Sequence, residues 1–381
     1  MLVYVLAFGL SIGLYLVFSR GVHASSDLAL VSGDRARSVL PFFLSAIPLI
    51  IVSGIRYNVG TDYFTTYYSG FYRIYENNYF DGFEFGYVLL NKFIQFFSTN
   101  VFLLFFVTSA IFIFFVFASF KKMSPNIPFS ILLLFLFRYY FFSMNAIRQM
   151  LACSIFSLAI YFAIKRKLRP YLLLCFLAFS FHYSSIVLFP TYWLMNIEWN
   201  PKRATGLLVL MAAIGTVSFP VVAKLLPGSS KYAAILNGFS TAGSLFIIGT
   251  ICLNLFILSL YYQNYLKCKN EWWYRCFLYL QIAAVGVTFF LPFIPNAERI
   301  YWSFSFHSMI GLPLVIEKID SQSFRLVVVS AILIIFTIYS FYDISVLKDH
   351  QVIPYSTIVG RNPSPYSGFD YRYVHKLYWW N

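Results

Sequence analysis

The chain has 381 residues, of which 60% are hydrophobic, 22% aromatic and only 11% charged, with a mean hydropathy of +0.72 and a formal net charge of +14. A soluble domain carries about 25% charged residues, so this composition excludes one and defines a polytopic membrane protein. The basic excess does not signal nucleic acid, because Lys and Arg fall in short clusters between apolar runs, as orientation signals do in membrane proteins.

A bilayer span needs about 20 mostly apolar residues. Windows of that kind lie near 2–18, 38–55, 101–119, 127–142, 145–163, 204–225, 241–263, 276–295, 300–316 and 324–342. The expected fold is therefore all-α, with about ten transmembrane helices, since lipid-exposed backbone must satisfy itself within a helix. The first window lacks a basic leader and a small-residue cleavage site, so it is expected to be retained as a span. Two segments fit poorly. The 85–98 stretch is short and amphipathic, and 171–196 is too long for one span and too short for two.

Counting positive charges orients the chain. Arg20, Arg35 and Arg37 place the first loop in the cytoplasm, which puts the 56–84 loop outside. Lys121 and Lys122 and the "KRKLR" cluster (Lys165 to Arg169) then lie inside if 85–98 does not cross. Lys202, Arg203, Lys267, Lys269 and Arg275 also lie inside if 171–196 is a re-entrant hairpin, and outside if it crosses once. The hairpin is the reading that keeps the charge rule. Residues 1–343 thus form one transmembrane domain, and 344–381 an extracytoplasmic tail that ends in "GRNPSPYSGFDYRYVHKLYWWN".

This topology gathers the sparse polar residues at one outward-facing cavity. Arg56, Asp62 and Glu84 come from the 56–84 loop, Arg148 from an outer helix end, His182 from the hairpin apex, and Glu298 with Arg299 from another outer helix boundary. Each has a plainer explanation: an arginine at a helix end snorkels to headgroups, a lone His packs on a hydrogen bond, and tyrosines form interfacial belts. The five cysteines are scattered without CxxC or Cys/His clusters, and there is no P-loop, Rossmann glycine pattern, HExxH or nucleophile elbow. No metal or cofactor is expected.

The segments "RYNVGTDYFTTYY", "FEFGYVLLNKF", "NAIRQMLACSIFSLAIYFAIKRKLRPY", "FLAFSFHYSSIVLFP" and "AERIYW", in that order, resemble the EpsG family of bacterial polysaccharide polymerases, related in role to the Wzy O-antigen polymerases. The resemblance spans roughly 56 to 355, and departs from the family where Phe85 follows Glu84 in place of a frequent proline. It implies a glycosyltransferase with a GT-C-like cavity, acting at the outer face of the bacterial cytoplasmic membrane. Such an enzyme transfers a growing glycan from undecaprenyl diphosphate onto a lipid-linked repeat unit, beside a flippase and a chain-length regulator, for O-antigen, capsule or exopolysaccharide.

The residue types suit that chemistry. A lipid diphosphate is already a good leaving group, and arginine pairs bidentately with phosphate while staying charged in a dry site. Arg56, Arg148 and Arg299 are the expected phosphate contacts, with Glu298 and Glu84 beside them. Asp62 and His182 are the candidate bases for the attacking hydroxyl. Asp62 follows Gly60, whose freedom at positive φ would turn the loop inward. Tyr63, Tyr67 and Trp302 are expected to stack on sugars or line a lipid groove. A lipid-linked oligosaccharide flippase, a membrane glycosyltransferase using a polyprenyl-phosphate sugar, and a non-catalytic export scaffold stay open as alternatives. Alternating access usually brings internal repeats, and the two halves of this chain show no similarity.

Overall fold

The computed structural model of the chain describes residues 1–19, 38–77, 80, 82–225, 241–291, 294, 297–348 and 350–361. Arg20, Arg35 and Arg37, on which the orientation rests, and residues 362–381 of the aromatic tail lie outside the described residues. Among those described, the regular structure is helical, and the one strand-like pairing is an isolated antiparallel bridge between Arg56 and Thr357. The chain folds as two units, the first made of Met1–Leu158, Leu173–Tyr183 and the chain from Val329, the second of Ala159–Leu172 and Ser184–Val328.

In the first unit, α1 (Leu2–Ser19) and α2 (Leu40–Gly54) precede a π-helical turn (Tyr63–Tyr68) that runs into α3 (Ser69–Asn77). They are followed by α4 (Phe85–Phe97), α5 (Val101–Met123), α6 (Ile127–Leu136), α7 (Tyr139–Asn145), the first part of α8 (Ile147–Ile164) and most of α9 (Leu168–Phe181). Asn100 and Asn126 cap α5 and α6 by accepting from the Phe102 and Phe129 amides, at 2.9 and 3.0 Å, which satisfies donors that a helix start leaves orphaned. Small residues let helices meet through hydrogen bonds: Ser11 donates to the Ser45 carbonyl at 2.6 Å, and the Ser53 and Ser109 hydroxyls lie 2.8 Å apart.

The second unit continues with a 3-10 turn after His182, then α10 (Thr191–Leu194), α11 (Pro201–Leu225), α12 (Thr241–Gln263), α13 (Tyr265–Cys268), α14 (Trp272–Thr288), α15 (Ala297–Ser305) and α16 (Ser308–Glu317). Finally α17 (Gln322–Phe341) and a π-helical turn (Tyr342–Leu347) lead into the C-terminal segment. Within the second unit, four neutral residues form a largely buried chain. Asn254 donates to the Tyr301 hydroxyl at 2.8 Å, Gln281 to the Asn254 carbonyl at 3.0 Å, and Ser308 to the Gln281 side-chain oxygen at 3.0 Å.

Against about ten expected windows, four described stretches are long and apolar enough to span by themselves: Leu2–Ser19, Val101–Met123, Ile147–Ile164 and Gln322–Leu347. The 127–142 window is not one straight span: α6 and α7 form a pair bent by 53°. Arg138 sits at the bend with a φ of +65°, and its guanidinium pairs with Asp343 at 2.7 Å and lies over the Tyr339 ring at 4.5 Å. A cation within an apolar run is costly, and the bend brings this one to a carboxylate. The 300–316 window is likewise divided, between α15 and α16. At about 1.5 Å per residue, α4 is about 20 Å long, too short to cross a hydrocarbon layer of about 30 Å. The 171–196 stretch comprises the larger part of α9, the 3-10 turn and α10, with His182 at the joint.

Candidate active site

The site grows from a close approach of α4 to α9. Gly86 in the first turn of α4 lies against Ser180, and a Cβ there would come within 2.7 Å of the Ser180 carbonyl oxygen. Only glycine permits that contact. It sets Glu84, just before α4, beside His182, just after α9.

Glu84 is then shared by two partners. Its Oε1 lies 2.7 Å from His182 Nδ1, and its Oε2 accepts from Arg148 Nη1, which also donates to the Gly82 carbonyl at 2.8 Å. The Arg148 guanidinium lies over the Phe83 ring at 5.2 Å. Burial alone pushes the Glu84 carboxyl up, but the His182 hydrogen bond and the Arg148 charge outweigh it, and the group is held below the usual carboxylate range. Side-chain exposure is 5% for Glu84, 9% for His182 and 17% for Arg148, so the carboxylate is the base of the cluster and the arginine its open edge.

The "RYNVGTDYF" segment meets the end of α7, just before the helix that carries Arg148. Gly60 has a φ of +102° and passes so near the chain that a Cβ would lie 2.8 Å from the Met144 carbonyl oxygen. Three residues before Arg148, at the end of α7, Asn145 Oδ1 accepts from the Asp62 amide at 2.9 Å and from the Thr61 hydroxyl at 2.7 Å. Tyr67 lies within electrostatic reach of both charged residues. Burial pushes its phenol up to about 12, the Arg148 charge opposing and the Asp62 charge assisting. Asp62, Glu84, Arg148 and His182, from four separate motifs, are thus assembled in one unit.

Other expected site residues go elsewhere. Arg56 is wholly buried, its guanidinium donating to the Ser53 and Met144 carbonyls and lying 4.8 Å over the Phe105 ring. It holds the loop to the protein interior, and no surface remains for the phosphate expected there. Tyr63 is also fully buried, stacked on Phe105 with centroids 4.2 Å apart, and Tyr67 is 2% exposed. Both are packed where sugar contacts were expected. Glu298 and Arg299 lie on α15 in the second unit, half-buried and exposed respectively. Among the described residues there is no group of three or more His, Cys, Asp or Glu side chains able to hold a metal.

Sequence reasoning passed over two features. His350 lies 2.7 Å from the Asn145 amide nitrogen, and Asp343 is the partner of Arg138. A lone charge in the 127–142 window was a signal for the second pair, whereas nothing in the local sequence marks the first.

A chain whose described residues are helical, with apolar spans and a charged, partly open cluster, is a membrane protein with a built polar site. The family model described as the EpsG family matches residues 39–357. The chain therefore belongs to the EpsG family, a Wzy-like family of polysaccharide polymerases. Comparison with curated proteins and with solved structures finds no match.

Proposed function

We propose that the protein is a polymerase that transfers a glycan chain from undecaprenyl diphosphate onto a lipid-linked repeat unit at the outer face of the bacterial cytoplasmic membrane. The observation that carries this reading is the shared carboxylate of Glu84, which holds His182 by Nδ1 and Arg148 by Nη1 in one cluster. A carboxylate on Nδ1 favours the imidazole tautomer with its proton on that nitrogen, leaving Nε2 as a base. His182 then accepts the proton of the attacking sugar hydroxyl as the new glycosidic bond forms. The bond between the donor's anomeric carbon and the diphosphate breaks, and its electron pair leaves with the phosphate oxygen.

Arg148 meets that developing charge from its exposed side, which is electrostatic stabilisation of the leaving group. Asp62, anchored through its amide to Asn145, receives hydrogen bonds from the acceptor sugar. No nucleotide is required, because the diphosphate ester already carries the activation.

The test is reconstitution of purified protein with its lipid-linked repeat unit, without nucleotide and with chelator, read by gel and mass spectrometry. A ladder of dimers and longer chains is expected, lost in His182→Ala and Arg148→Ala. Absence of a ladder with authentic substrate would overturn the reading in favour of a flippase or a monosaccharide transferase.

A further inference from the structure

The C-terminal segment is laid along the loop that carries Asp62. Tyr57 donates its amide to the Ser356 carbonyl at 2.9 Å, Ile358 to Ile55 at 2.9 Å, and Gly60 to Gln351 at 3.2 Å. Side chains fasten the same strap: Tyr4 donates to the Val352 carbonyl at 2.7 Å, and Tyr355 to the Val52 carbonyl at 2.8 Å. Residues distant in sequence thereby run beside the first motif. At the start of this strap, His350 reaches Asn145, and its ring packs on Phe142 with centroids 4.6 Å apart.

The chemistry of that contact is fixed by its other end. A backbone N–H can only donate, so the Asn145 atom facing the Asp62 amide is the oxygen. The Asn145 nitrogen then faces His350 and donates, which requires Nδ1 to be an acceptor. Asn145 is 8% exposed, and its carboxamide is held on both sides, by Thr61 and Asp62 through oxygen and by His350 through nitrogen. A side chain held on both sides keeps one orientation, and the Asp62 backbone is placed by it.

We propose that His350 is a positioning residue of the polymerase site, acting through Asn145 on the Thr61–Asp62 turn. The inference rests on the reading above that Asp62 contacts the acceptor. It makes the strap a structural part of the site, and it assigns to His350 the single task of offering an acceptor at Nδ1.

That task separates two near-isosteric variants. In His350→Asn the side-chain oxygen stands where Nδ1 was, whereas in His350→Gln the side-chain amide stands where Nε2 was. Hydrogen–deuterium exchange of peptides covering 57–66 reads the loop directly, with peptides from α14 as reference, and the reconstituted ladder reads catalysis. His350→Asn is expected to match the native protein in both. His350→Gln and His350→Ala are expected to speed exchange at 57–66 by about fivefold, the effect of one lost hydrogen bond, and to lower kcat by a similar factor with KM for the donor unchanged. Native-like exchange and rate in His350→Gln would overturn the proposal, as would equal defects in the Asn and Gln variants. Faster exchange at α14 as well would also overturn it, because His350 would then hold the whole fold. If the exchange contrast appears while the native protein forms no ladder, the tie stands and the polymerase reading fails.

Discussion

Glu84, Arg148 and His182 in the first unit and Asn254, Gln281, Tyr301 and Ser308 in the second are both polar clusters in apolar surroundings, built in different ways. The second is neutral and runs as a chain from hydroxyl to amide to amide to hydroxyl. Such a network stabilises modestly and holds helices in register. The first contains ions, and its arginine stays partly open. An ion pair in a poorly hydrated place costs desolvation that its own attraction barely repays, so stability alone does not explain it. Charge placed at a half-open edge has the character of a working site, while satisfied neutral amides have that of scaffolding.

The contrast breaks if mutations do not sort accordingly. His182→Ala is expected to lower polymer formation by about 10²–10⁴-fold, the usual range for a positioned base, with normal amounts of protein in the membrane. Glu84→Gln, which keeps shape but loses the charge that orients the imidazole, should cost about 10- to 100-fold in the same ladder assay. Gly86→Ala drives a methyl group into Ser180 and should destabilise by about 1–3 kcal/mol, read as a lower Tm in detergent together with weakened activity. Gln281→Leu should cost only about 0.6 kcal/mol for each interhelical hydrogen bond removed and leave the polymerisation rate within about twofold, since about 0.4 kcal/mol in a barrier is a factor of two. A rate loss there as deep as that of His182→Ala would make the neutral cluster the site.

A smaller effect is expected from pH. The folded Glu84 carboxyl titrates below its ordinary value, so its ionised form stabilises the native state above an unfolded pKa of about 4.3. That contribution is lost as pH falls through the lower folded value. The Tm difference between native protein and Glu84→Gln should therefore be constant from neutral pH down to about 4.3 and shrink below it, while the difference for Gln281→Leu stays flat throughout.

Much of this arrangement was legible in the chain. Asp62, Glu84, Arg148 and His182 stood out because polar residues in an apolar chain are few, and the four share one unit. What the sequence shows is charge, not depth. Arg56 follows an apolar run and opens a polar loop, yet it is enclosed by carbonyls that belong to Ser53 and Met144. The aromatic residues mislead in the same way: Tyr63 and Phe105 stack inside the protein, where burial of ring area outweighs any sugar contact. Hydropathy counts apolar residues and is blind to the breaks within 127–142 and 300–316; in the first of them the partner of the cation at the bend, Asp343, lies far along the chain. His350 was hidden for the same reason, since its partner Asn145 is remote in sequence and neither residue is unusual in its own neighbourhood.

The ion pair at the α6–α7 bend has a consequence for biogenesis. Membrane helices are delivered to the bilayer in the order in which they are made, and Arg138 emerges long before Asp343, which follows α17. Until then the guanidinium has neither its carboxylate nor the Tyr339 ring, and the bent α6–α7 pair is incomplete. The chain thus carries an internal deadline: α6 and α7 reach their final form only when the last long apolar helix arrives, so a ribosome that stops short of α17 leaves a cation stranded for quality control to find.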